Sequence, residues 1–71
     1  MRQSTIGGLR NTFAIEAAKQ VQAAVAAGRD EDGAWASAAR AAQAQGLYGR
    51  TIAITELARM IRRRAAKLGY T

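Results

Sequence analysis

The chain has 71 residues, a formal net charge of +6 at pH 7 and 49% hydrophobic residues. It contains no Cys, His or Pro, which excludes a disulfide framework, a thiolate metal site and histidine as a general base or metal ligand. The apolar fraction is too high for a charge-rich disordered tail, so the composition predicts one small basic globular domain.

The size of the chain bears on its oligomeric state. A domain this short buries only about 60% of the surface that its unfolded chain exposes. Small domains commonly compensate with disulfides, structural metals or self-association. Because the composition provides neither of the first two, it favours a homodimer over a monomer.

Residues 1–10 are predicted to form a flexible basic arm, and the folded domain to span residues 11–71. The arm carries Arg2 and Arg10 and is interrupted by the pair Gly7-Gly8. The first helix is predicted over residues 12–27, with Asn11 or Thr12 as its N-cap and Gly28 as its end. Its core side is expected to hold Phe13, Ala14, Ala17, Ala18, Val21, Ala24 and Val25.

A second helix is predicted from about Gly33 to Gln45, with Gly46 after it. Asp30 or Asp32 can accept from a free backbone N–H of its first turn, and acidic residues suit the positive end of the helix dipole. The expected core face is Trp35, Ala38, Ala39 and Ala42.

A third helix is predicted after a cap at Thr51 or Thr55, running to Leu68 and ending at Gly69. Its expected core face is Ile54, Leu57, Ala58, Ile61, Ala65 and Leu68. The opposite side is expected to carry Arg59, Arg62, Arg63 and Lys67, with Glu56 among them. The alternation over residues 51–55 also fits a short strand, which would have to pair with a second copy. The predicted fold class is a small all-α three-helix domain.

The sequence predicts no enzymatic activity. Three of the five carboxylates lie in the turn 30–32, and the hydroxyls have no His beside them for activation. The turn resembles the start of a calcium loop, but residues 34–41 supply no carboxylate to complete one. No glycine-rich phosphate loop of known spacing is present. No cofactor, metal or small-molecule substrate is therefore expected.

The basic third helix is the feature of the sequence that most strongly indicates a function. Five cations lie within nine residues: Arg59, Arg62, Arg63, Arg64 and Lys67. One or two cations would complement the negative end of the helix dipole, and a solvated face is the ordinary alternative. Like charges four residues apart repel one another, so an excess of this size favours a partner that carries phosphate.

A helix-turn-helix register is partly satisfied by Ala42, Gly46, Leu47 and Ile52, although Gln45 and Gly49 depart from it. In that register Arg50, Thr51 and Thr55 would face bases, while Arg59, Arg62 and Arg63 would meet phosphates. The predicted nucleic-acid-binding residues are therefore Arg59, Arg62, Arg63, Arg64, Lys67, Arg50, Thr51 and Thr55.

The predicted function is that of a small accessory or regulatory protein that binds nucleic acid, DNA in preference to RNA. The alternative is an adaptor or inhibitor, of the kind that mobile elements encode, docking on an acidic protein surface. Trp35, Tyr48, Phe13 and the arginine cluster of the third helix would then be its anchors. No run of residues suggests targeting or membrane insertion, and using the apolar face of the third helix on lipid would leave no core. A cytoplasmic location is expected.

Overall fold

The computed structural model describes residues 5–71. Over this range the chain forms three α-helices, α1 (Thr5–Ala26), α2 (Glu31–Ala44) and α3 (Ile54–Lys67). Each helix packs against the other two. The all-α three-helix class is confirmed for the described range, which contains no strand, and the alternative of a strand over 51–55 is wrong because α3 begins at Ile54.

The helix α1 begins at Thr5 rather than near Thr12, so residues 5–10 are not an irregular arm. The remaining arm residues, 1–4, lie outside the described range. Contacts with the α2–α3 connection explain the longer helix. Arg10 Nε donates to the carbonyl of Leu47 at 2.9 Å, and its guanidinium lies 4.4 Å from the centre of the Tyr48 ring. These contacts offset the cost of roughly 1 kcal/mol that each glycine adds to a helix.

Four of the six helix ends lie at the residues that the sequence predicts. Gly28 has φ 92°, its N–H donates to the carbonyl of Val25, and the N–H of Arg29 donates to that of Ala24. This pair of bonds satisfies carbonyls that the helix leaves free, and a residue with positive φ is needed for it. The same pattern ends α2 at Gly46 and α3 at Gly69. Asp30 is the N-cap of α2, accepting from the N–H of Gly33 at 2.8 Å.

The predicted caps of the first and third helices are wrong. Asn11 and Thr12 lie inside α1. The N-cap of α3 is Ala53, with no side-chain cap bond, so neither Thr51 nor Thr55 holds that position. Residues 50–52 form a bend instead. Gln43 of α2 contacts this bend, its Nε2 donating to the carbonyl of Ile52 at 2.9 Å. That bond fixes the chain direction just before α3.

The core lies where the three helices meet and is made mostly of small side chains. Its buried members are Ala14, Ala17, Ala18, Val21, Trp35, Ala39, Ala42, Tyr48, Leu57, Ile61 and Ala65. Leu57 and Ile61 are the largest side chains that are fully buried. The prediction that Val25 and Leu68 belong to the core is wrong, since they are 42% and 37% exposed. Both lie at the end of a helix, where the neighbouring helices no longer cover them.

Candidate nucleic-acid interface

The outer face of α3 carries a row of three cations, Arg59, Arg63 and Lys67, which we call the cationic row. Leu57, Ile61 and Ala65 recur at four-residue spacing and are fully buried against α1 and α2. The row has the same spacing but is offset by two residues, a rotation of about 200° around the helix. All three cations are exposed, and neither ion pair found within residues 5–71 involves them. The row is therefore a positive surface that makes no ion pair, with Glu56 on the same face in the first turn of α3.

Arg62 lies apart from the row, on the side of α3 that faces α2. Its Nη2 is 2.9 Å from Glu31 Oε2 and its Nη1 is 3.6 Å from Asp32 Oδ1. Its guanidinium carbon is 5.9 Å from the centre of the Trp35 ring. Two carboxylates from the first turn of α2 thus compensate its charge. An exposed pair of this kind contributes about 0.2–1 kcal/mol, and here it joins α2 to α3.

Arg64 lies on the opposite side of α3, toward α1. Its Nη1 donates to Asn11 Oδ1 at 2.7 Å, and the residue is half-buried. Asn11 is neutral, so the positive charge of Arg64 stays uncompensated while its position becomes fixed. A groove of about 340 Å³ runs beside it, lined by Asn11, Tyr48, Met60, Arg63, Arg64, Lys67 and Leu68. Arg64 therefore joins helices and adds positive charge at the edge of the row.

The three remaining predicted site residues do not form a recognition helix. Residues 45–53 connect α2 to α3, whereas a helix-turn-helix motif uses a turn of about three to four residues. The helix-turn-helix register is therefore wrong. Arg50 and Thr51 lie in the connection, and Thr55 is exposed in the first turn of α3, one helical turn before Arg59. Thr55 accordingly shares the face of the row, but Arg50 does not.

Two arginines outside the predicted set have neighbours that the local sequence does not reveal. Arg40 on α2 lies beside Arg50, and the two line a shallow hollow with Gln43 and Ala44. Arg10, assigned above to the arm, holds the connection through Leu47 and Tyr48. The partners of Arg10 are 37 and 38 residues away in the chain, so no spacing rule could have found them.

The aromatic residues proposed as anchors for a protein partner are largely unavailable. Trp35 is 3% exposed and Tyr48 is 7% exposed, and both belong to the core. Phe13 is partly buried against the same cluster. The interpretation of Trp35 and Tyr48 as surface anchors is therefore wrong, and an acidic protein partner stays a prediction without them.

Within residues 5–71 no group of three or more carboxylates is arranged so that it could hold a metal ion, and no helix is both long and apolar enough to cross a membrane. Comparison of the chain with protein-family models, curated proteins and solved structures gave no match in any of the three searches.

Proposed function

We propose that the protein binds nucleic acid, DNA in preference to RNA, through the cationic row of α3. The observation that carries the proposal is the exposure of Arg59, Arg63 and Lys67 on one face without an acidic partner in the described range. The helix beneath them is anchored by the buried side chains of Leu57 and Ile61. A rigid row of charges loses little conformational freedom of the backbone when it meets phosphates.

The dimensions of the row suit a phosphate backbone. Four residues of helix rise about 6 Å, so the row extends over about 12 Å. Phosphates on one DNA strand recur about every 3.4 Å along the duplex axis while the strand winds around it, so cations about 6 Å apart can each meet a different phosphate. The major groove of B-form DNA is about 12 Å wide and admits a helix, whereas that of A-form RNA is too narrow to do so. This difference supports DNA over duplex RNA.

The test is the salt dependence of binding to a fluorescently labelled 20-base-pair DNA duplex, measured by anisotropy between 50 and 200 mM salt. Each phosphate contact adds about 0.9 to the slope of log K against log salt. The variant Arg63→Gln with Lys67→Gln should therefore lower that slope by about 1.8. A parallel titration with an RNA duplex of the same sequence should give weaker binding.

A matched control separates the position of the charges from their number. Lys19 on α1 and Arg40 on α2 are exposed and lie outside the row. The variant Lys19→Gln with Arg40→Gln also removes one lysine and one arginine, so each of the two variants lowers the net charge from +6 to +4. The control should keep a slope close to that of the wild type. Equal losses in both variants would show attraction by net charge alone, and a wild type that does not bind at 50 mM salt would reject the proposal.

A further inference from the structure

A second surface of the molecule lies on the far side from the basic helix. A groove of about 390 Å³ runs between α1 and α2, and no residue of α3 lines it. Its apolar lining consists of one phenylalanine, one valine and several alanines: Phe13, Ala17, Val21, Ala24, Ala34, Ala38 and Ala41. Small side chains let another helix approach closely, so the groove has the form of a helix-packing surface.

We propose that this groove is the interface of a symmetric homodimer, occupied by the same groove of a second copy of the chain. This inference does not depend on the nucleic-acid proposal. The α1 and α2 helices are joined by the short turn 27–30 and run antiparallel, so the groove has two distinct ends. A two-fold axis that crosses the middle of the groove at right angles to α1, within the plane of the interface, places each end against the opposite end of the partner subunit.

The shapes of the two ends are complementary under that symmetry. Phe13 lies at the end of the groove far from the turn, while Ala24 and Ala34 line the end beside the turn. The two-fold axis therefore brings the one large side chain of the groove onto the small residues of the partner subunit. The same contact is repeated at the other end, as an isologous interface requires.

The charges follow the same symmetry. Glu16 lines the groove near Phe13, and Arg29 lines it at the turn. The same axis lays Glu16 on the half of the groove that ends at Arg29 of the partner subunit, once at each end. Each copy carries a net charge of +6, so association needs an interface that avoids the basic helix and contains both signs of charge. The groove meets both conditions.

The composition of the core gives a reason for the dimer to form. Six of the eleven buried residues are alanines, and small side chains bury little apolar area on folding. Covering Phe13 and the groove alanines would add buried area without any change in the fold. Both cationic rows would stay uncovered, because α3 takes no part in the groove.

A charge-swap experiment tests the proposed symmetry, with the dimer dissociation constant measured by analytical ultracentrifugation. Glu16→Lys brings a cation toward Arg29 of the partner subunit, and Arg29→Glu brings a carboxylate toward Glu16 of the partner subunit. Each single variant therefore replaces an attraction across the interface by a repulsion. Each single variant should weaken the dimer about tenfold, through two symmetry-related contacts. The double variant restores opposite charges and should recover the wild-type constant to within about threefold.

A second pair of variants tests the location of the interface. Ala41 and Ala23 are both exposed alanines on helix surfaces, but only Ala41 lines the groove. Ala41→Glu should therefore be monomeric, whereas Ala23→Glu should dimerise as the wild type does, with equal helical signal in both. A wild type that stays monomeric at about 1 mM, a dimer that survives Ala41→Glu, or a double charge swap that fails to recover would each overturn the proposal.

Discussion

The hydroxyl of Tyr48 offers a direct test of the packing described above. Tyr48 is 7% exposed, and its hydroxyl oxygen is buried with no hydrogen-bond partner in the described part of the chain. Burying a hydroxyl without a partner costs about 1–3 kcal/mol. Tyr48→Phe removes that group and keeps the ring beneath Arg10. Since the lost oxygen also leaves a small gap, we expect the variant to be more stable by about 1 kcal/mol, the lower end of that range.

The measurement is urea unfolding followed by circular dichroism at 222 nm. Small domains unfold with a slope near 1 kcal/mol per molar urea, so the midpoint should rise by about 1 M. In a thermal scan the same change corresponds to an increase of about 4–8 °C in Tm. Wild type and variant must be compared at one protein concentration, because self-association would stabilise the folded state by mass action.

Tyr48→Leu is the matched control, because it removes the hydroxyl and the aromatic ring together. The contact between the Arg10 guanidinium and the ring is then lost, and we expect a loss of about 1–2 kcal/mol. A lower midpoint for Tyr48→Phe would show that the hydroxyl makes a stabilising bond. The assignment of an orphaned buried group would then be wrong.

Three further substitutions probe the fold. Trp35→Ala should cost about 3–5 kcal/mol, because Trp35 is 3% exposed at the centre of an alanine-rich core, and a retained cooperative melt would contradict this. Arg10→Gln should lower the free energy of unfolding by about 1–2 kcal/mol and speed amide hydrogen exchange over residues 45–53. Unchanged exchange in those residues would show that another contact holds the connection. Asp30→Ala should cost about 1 kcal/mol in urea unfolding, whereas Asp30→Asn should be nearly neutral because Asn caps equally well; equal losses in both would exclude capping as the cause.

The sequence was sufficient to predict much of the fold that depends on neighbouring residues, although not the start of α1 or the N-cap of α3. The three helices, their glycine ends and the cap at Asp30 all follow from interactions within a few positions. The buried face of α3 follows from helical spacing, and Leu57, Ile61 and Ala65 lie where that spacing predicts them. Local chemistry determines these features, so local patterns reveal them.

The errors come from contacts between distant positions. Arg10 extends α1 by reaching the connection, Arg62 turns to Glu31, and Arg64 reaches back to Asn11. The sequence alone shows five cations near the end of α3. In the fold, Arg62 and Arg64 contact other helices, and the remaining three form the cationic row. The chain itself gives no sign of this division, because the partners lie 31 and 53 residues away.

The alanine content of the core also has a thermodynamic consequence. The heat-capacity change on unfolding rises with the apolar surface that becomes exposed, and an average chain of this length would show about 1 kcal/mol/K. Six alanines among eleven buried residues expose less apolar surface than an average core. The heat-capacity change should therefore lie below that value, and the curve of unfolding free energy against temperature should be shallow. The folded state would then lose little stability on cooling.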